Sequence, residues 1–198
     1  MTAIVDYGAG NLTSVRYALA ACGVEAVVTR DPAVIRAADR VVFPGVGAAK
    51  SAMDSLRALG LVEAVREAAE AKPFLGICLG MQILFAHSEE DGGVDMLGIL
   101  PGRVRRFPSA AGVKVPEIGW NQVRFESACP ASRANAQAEY YFVHSYYAEL
   151  GPVTAGVTAY AGVEFTAFER KGRLWACQFH PEKSGRVGLD LIKEWLSC

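Results

Sequence analysis

Two short segments carry the residue types that nucleophilic catalysis uses. Gly76-Ile-Cys78-Leu-Gly80 sets a cysteine between glycines two positions before and two positions after it. An apolar run precedes it and a helix-like run follows, the setting of a nucleophile elbow with cysteine in the serine position. The flanking glycines let strand and helix pack closely around a strained central residue. Amides at the start of the helix favour a thiolate and face a developing oxyanion. Taken alone, the pattern fits equally a buried structural cysteine between two turn glycines. Far downstream, Phe179-His180-Pro-Glu182 supplies what a cysteine nucleophile lacks. Pro181 holds His180 extended, and continued extension puts His180 and Glu182 on one face. A histidine beside a carboxylate is a base with its orienter, although an exposed pair at a strand end reads the same way.

The elements that must position these groups are legible in the first half. Ala3 to Asp6, Val24 to Thr29, Arg40 to Phe43 and Phe74 to Ile77 are short apolar runs that read as strands. Between them, Leu12, Val15, Leu19 and Cys22 recur at helical spacing after Asn11, an expected N-cap. Asp31-Pro32 opens a short helix to about Ala38, helices fill Ala48 to Ala71 with a break near Gly60, and Leu79 to His87 reads as helical. The second half changes character. Ile99 to Phe107, Val113 to Val115, Asn121 to Glu126 and Tyr140 to Tyr147 read as strands. Glu164 to Glu169 and Leu174 to Phe179 flank a hairpin turn, and a last helix runs from about Ser184 to Leu196 with Val187, Leu191 and Trp195 on one face. The expected fold is α/β: a mostly parallel doubly wound sheet with helices on both faces, plus an antiparallel strand region in the second half. No linker or repeat divides the chain, so residues 1–198 are expected to form a single domain.

Composition narrows the function classes. The 198 residues carry 20 Lys+Arg against 21 Asp+Glu, a net charge of -1, and 52% are hydrophobic. That is too apolar for a disordered chain, and it lacks the basic excess of a nucleic-acid binder. The longest apolar stretch, Pro73 to Ala86, is short of the roughly 20 residues a spanning helix needs, so no membrane partner is expected. The five cysteines (Cys22, Cys78, Cys129, Cys177 and Cys198) are scattered, which argues against a disulfide framework or a cysteine-rich metal site and for a reduced, cytoplasmic protein. Gly8-Ala-Gly10 is half of a dinucleotide fingerprint without its third glycine.

Gly76-Ile-Cys-Leu-Gly-Met-Gln82 and Phe179-His-Pro-Glu-Lys-Ser184 together resemble the class I (triad) glutamine amidotransferases. Asp6-Tyr-Gly-Ala-Gly-Asn11, Pro44-Gly-Val-Gly47, Gly119-Trp-Asn121 and Tyr141-Phe-Val-His-Ser-Tyr146 narrow the likeness, nearly end to end, to members serving histidine biosynthesis. The resemblance implies hydrolysis of L-glutamine through a thioester on Cys78, with His180 as acid and base and Glu182 orienting it. It implies an oxyanion hole of backbone amides from Leu79 and from Val46 or Gly47. Because Val46 lies between two glycines, its peptide turns cheaply, and the hole is expected to be completed only on partner binding. Substrate contacts are implied at Gln82, along His144, Ser145 and Tyr146, and at Glu90. Neither metal nor other cofactor is implied. The implied partner is a cyclase subunit of (β/α)8-barrel fold in a heterodimer, docking through Asn11, Ser14, Val46, Trp120, Asn121 and Lys183. Ala49, where the family pattern has an aromatic, and Glu117-Ile118, where it has His-Met, depart from it. Two other readings stand beside this one: the glutaminase subunit of another synthase, of anthranilate or pyridoxal phosphate type, and a non-catalytic docking subunit of the same fold.

Overall fold

The structure, a computed structural model, describes residues 1–109, 112–126, 129 and 138–198. Five parallel strands form its frame in the order β2 (Ala26–Thr29), β1 (Thr2–Val5), β3 (Arg40–Gly45), β4 (Phe74–Cys78) and β14 (Leu174–Cys177). Helices α1 (Leu12–Ala21) and α6 (Gly185–Leu196) cover one face, while α2 (Pro32–Ala37), α3 (Ala49–Ala58) and α4 (Val62–Ala71) serve the other. β4 shows why its sequence is continuously apolar. Leu75 and Ile77 pack into the core beneath α1 and α6, and Phe74 packs into the core beneath α3 and α4. In α6 the buried side is Gly188, Leu191, Ile192 and Trp195, with Val187 at its margin. Asp31 caps α2 by accepting the Ala33 amide at 2.8 Å, whereas Asn11 holds the N-cap position of α1 without a side-chain cap.

Beyond β14 the pairing turns antiparallel, first to β13 (Val163–Lys171), then through β11 (Tyr146–Ala148) to β7 (Arg103–Arg106). β12 (Thr154–Tyr160) pairs with β13, and β10 (Glu139–His144) with β8 (Glu117–Gln122) in a separate two-stranded sheet. The parallel half and the antiparallel second half therefore follow the sequence expectation, with differences in detail. The helix expected from Leu79 to His87 is one turn, α5 (Leu79–Gln82). Ile83, Leu84 and Phe85 are all completely buried, which consecutive positions on a surface helix cannot be, so the chain unwinds and His87–Ser88 becomes a short strand against β7. Val113 to Val115 is not a strand. Tyr140 to Tyr147 divides at Ser145, whose carbonyl accepts the Phe107 amide, so its two parts join different sheets. β12, which no alternation of residue types announces, was not expected. Among the described residues, no helix is long and apolar enough to cross a membrane.

One buried acid stands apart from the site. Glu169 on β13 is completely buried, and burial pushes its carboxyl up to about 8, opposed by the Thr154 hydroxyl 3.5 Å away. The folded state thus holds a proton that the unfolded chain releases near the ordinary glutamate value. Its stabilising contribution is complete below that value and is lost as pH rises through about 8, by up to about 1.4 kcal/mol per pH unit. Urea denaturation at pH 5 and pH 8.5 checks this. Glu169→Gln is expected to lose less stability over that interval than the wild type, and equal losses would contradict it.

Candidate active site

Cys78 ends β4 with φ 54° and ψ -114°, a backbone conformation that a side chain rarely tolerates. The neighbouring glycines explain how it persists. A Cβ on Gly80 would lie 1.9 Å from the Phe43 carbonyl oxygen, and one on Gly76 would lie 3.0 Å from that of Gly80. On Gly45 a Cβ would meet the Gly80 nitrogen at 2.6 Å. β3, β4 and α5 thus touch backbone to backbone, and the sharp turn is held by its surroundings.

Sheet register brings the histidine to the sulfur. Cys177 on β14 is level with Ile77 on β4, so the segment after β14 runs past Cys78. The His180 ring faces Cys78 closely enough to interact with it electrostatically, and its Nδ1 lies 2.9 Å from Glu182 Oε1, leaving Nε2 on the side of the sulfur. Glu182 does not continue the strand, as the sequence reading assumed; Pro181–Lys183 is a 3₁₀ turn that curls the carboxylate back under the ring. Ser184 pins this turn by donating to the His180 carbonyl at 2.6 Å and accepting the Tyr141 amide at 3.0 Å. A Cβ on Gly188 would lie 1.9 Å from the Pro181 carbonyl oxygen, so α6 starts flush against the turn. Burial by itself lowers the affinity of the His180 ring for its proton. The hydrogen bond to Glu182 and the electrostatic influence of Cys78 and Glu182 outweigh it and push the ring up to about 10.

Cys78, His180 and Leu79 open into one cavity of about 320 Å³, the scale of a small-molecule site. Val46, Gly47, Gln82, Glu90, His144, Ser145, Tyr146 and Lys183 also line it, so nine of the sequence-predicted oxyanion, substrate and interface residues converge there, Leu79 included. Val143 and Pro116 complete the lining, and neither was singled out from sequence. Of the loop glycines, Gly47 has φ 95° and open space around it, whereas Gly45 is locked; the expected peptide freedom at Val46 lies on its Gly47 side. The Gln82 amide nitrogen donates to the Tyr146 carbonyl and to Gln178 Oε1, both at 2.8 Å. Glu90 accepts the Ala49 amide at 2.7 Å, and burial raises its carboxyl pKa. The His144 ring is buried among Phe107, Phe142 and Phe165. Its Nδ1 meets the Tyr146 carbonyl at 2.8 Å, and its Nε2 lies 3.0 Å from Glu117 Oε2 but off the hydrogen-bond axis.

At the rim, Lys183 lies 5.9 Å over the Tyr141 ring, and Trp120, 56% exposed, meets that ring edge-on at 6.0 Å. Asn11 and Ser14 are half-buried on α1, away from the cavity lining. Asn121 turns inward, donating to Glu117 at 2.8 Å and to the Ala159 carbonyl at 3.0 Å. Gln178 was missed by the sequence reading. The only signal for it was its place two residues before His180, on the same side of an extended chain.

Comparison with known proteins places this geometry in company. The family model for glutamine amidotransferase class-I matches residues 3–196. The imidazole glycerol phosphate synthase subunit HisH of Moorella thermoacetica is 50% identical over 197 residues, covering 98% of this chain and 92% of that one. That of Synechococcus elongatus is 48% identical over 200 residues with the same shares, and subunit HisH 1 of Pseudomonas aeruginosa is 47% identical, covering 98% and 95%. Among solved structures, a glutamine amidotransferase superposes with a TM-score of 0.76 at 20% identity, covering 100% of this chain and 99% of its own. PurLQS from Thermotoga maritima gives 0.74 at 18%, covering 99% and 97%. At those identities the structural likeness speaks of the fold alone.

The raised affinity of the His180 ring is open to direct measurement. In 15N-labelled protein its ring signals are expected to keep the imidazolium pattern through pH 8 and to titrate near 10. In Cys78→Ala the midpoint falls, because burial stays while the sulfur partner is gone. A wild-type midpoint near 6.5 would remove the electrostatic argument.

Proposed function

The chain belongs to the class I glutamine amidotransferases and, within them, to the HisH subunits of imidazole glycerol phosphate synthase, and from that premise we propose how its residues divide the work. It is the glutaminase subunit of that synthase. Cys78, His180 and Glu182 form the triad, and L-glutamine is the substrate. What supports the assignment most is the strained cysteine at a strand end, sharing a cavity with a histidine that a buried carboxylate orients, in a chain half identical to HisH.

The Cys78 sulfur attacks the side-chain carboxamide carbon of glutamine, forming the C–S bond and moving the carbonyl electrons onto oxygen. The amides of Leu79 and of Val46 or Gly47 receive that oxyanion; one such donor is worth about 2.7–4 kcal/mol of barrier. Collapse of the intermediate breaks the C–N bond as imidazolium His180 gives its proton to the leaving nitrogen, so ammonia departs and a thioester remains. His180, now neutral, takes a proton from water, whose oxygen attacks the thioester. Glutamate leaves, and thiolate and imidazolium are restored. Glu182 keeps Nδ1 engaged throughout, which holds Nε2 toward the reacting atoms. Both N–H groups of Gln82 are spent within the protein, so toward the substrate it offers its amide oxygen, an acceptor. Glu90 and the backbone around His144, Ser145 and Tyr146 are assigned to the amino-acid end.

Free ammonia is protonated and lost in water, so the product needs a neighbouring acceptor. The assigned partner is a cyclase subunit of (β/α)8-barrel fold, which turns the ammonia into imidazole glycerol phosphate and aminoimidazole carboxamide ribotide. Trp120, Lys183, Val46, Asn11, Ser14 and Asn121 form the docking face, with Lys183 paired to an acid of the partner. The whole chain acts as one catalytic domain in the cytoplasm. Release of glutamate from glutamine, followed with the cyclase present, tests the reading. Cys78→Ala is expected to lose activity by at least about a thousandfold. Equal turnover by the two proteins would overturn the catalytic assignment and leave a docking subunit.

A further inference from the structure

We propose that Gln178 is a further catalytic residue, donating a side-chain N–H to the Cys78 sulfur and biasing it toward the thiolate; this rests on the function assigned to that sulfur. Gln178 is the first residue beyond β14 and is completely buried. Because Cys177 is level with Ile77, the next residues of the two segments, Gln178 and Cys78, come side by side where β14 ends. Its Nε2 lies 3.7 Å from Sγ.

The direction of this amide follows from its neighbours. The Tyr146 carbonyl only accepts, so the end of Gln82 that meets it at 2.8 Å must be the nitrogen. The second N–H of that nitrogen reaches Gln178 at 2.8 Å, where it requires the amide oxygen. The other end of Gln178, facing the sulfur, is therefore its nitrogen. One backbone carbonyl thus orients two side-chain amides in series, and the series ends on the nucleophile. A hydrogen bond to the charged form of an acid favours that form. The sulfur otherwise lies 3.8 Å from the Val143 carbonyl, an acceptor that only a thiol satisfies. Without Gln178, His180 alone holds the thiolate against that carbonyl.

Gln178→Met keeps the side chain's length and removes the donor. The rate of Cys78 alkylation by iodoacetamide, read by peptide mass spectrometry across pH, reports on the sulfur without any substrate. The variant is expected to react about fivefold or more slowly at neutral pH, with its profile moved to higher pH by about 0.7 unit, the scale of one lost hydrogen bond. With the cyclase present, kcat for glutamine is expected to fall by a similar factor at nearly unchanged KM. An alkylation profile that coincides with the wild type overturns the proposal. Should the methionine variant fail to fold by near-ultraviolet circular dichroism, Gln178→Glu keeps the volume and the acceptor for Gln82. It is expected to move the profile in the same direction, and an unmoved profile is equally fatal. If glutamine is not hydrolysed by the wild type while the profiles shift, the assigned function fails and the donor stands. If hydrolysis is normal and the profiles coincide, the reverse holds.

Discussion

The arrangement depends on three backbones approaching to a distance that admits no side chain. With Gly80 seated against the Phe43 carbonyl and Gly45 against the Gly80 nitrogen, the turn between β4 and α5 has no room to relax. Cys78 is left at φ 54°. A residue in that region is disfavoured by roughly 1–3 kcal/mol and persists only where the surroundings over-determine it. The sulfur is therefore presented by a rigid strand end, as is expected where chemistry needs a fixed origin.

On the proposed mechanism a fixed sulfur needs a fixed base, and a long return of the chain brings His180 to that place. The antiparallel second half feeds β14 into the parallel sheet beside β4, so the histidine segment begins level with Cys78. The turn that follows is tied down by Ser184 from the side of β10 and by Gly188 from the side of α6. Glu182 needs little freedom as a result: its position follows from the turn, and the carboxylate meets Nδ1 without reaching. The short helix α5 gives only one turn of aligned peptides beside the sulfur. On the proposed reading, the Gln178 amide and the His180 ring, more than a helix dipole, are the groups that act on its charge.

Much of this was legible in the residues themselves. The strand–helix alternation from Thr2 to Gln82 is written in apolar runs and turn glycines, and the Cys78 and His180 segments announced themselves by type and spacing. Other features were not. Helix α5 stops after Gln82 because Ile83, Leu84 and Phe85 are claimed by the core from more than one side, which a periodicity count does not register. Glu182 joins His180 through a turn where extension was expected, since a proline before it suits either path. Gln178 was silent because one glutamine in a sequence carries no chemistry until register puts it beside a sulfur. Glu117, noted only as a departure from the family pattern, proves to lie beside the His144 ring inside the aromatic cluster.

The ladder between β4 and β14 has one more consequence. Sulfur and imidazole are spaced from two interior strands, each paired on both sides, with His180 three residues past β14 and its amide bonded to the Tyr141 carbonyl. Shearing β14 from β4 would separate them and remove the core on both faces at the same stroke. Heat that opens the central sheet would therefore part the sulfur from the imidazole as it exposes the core.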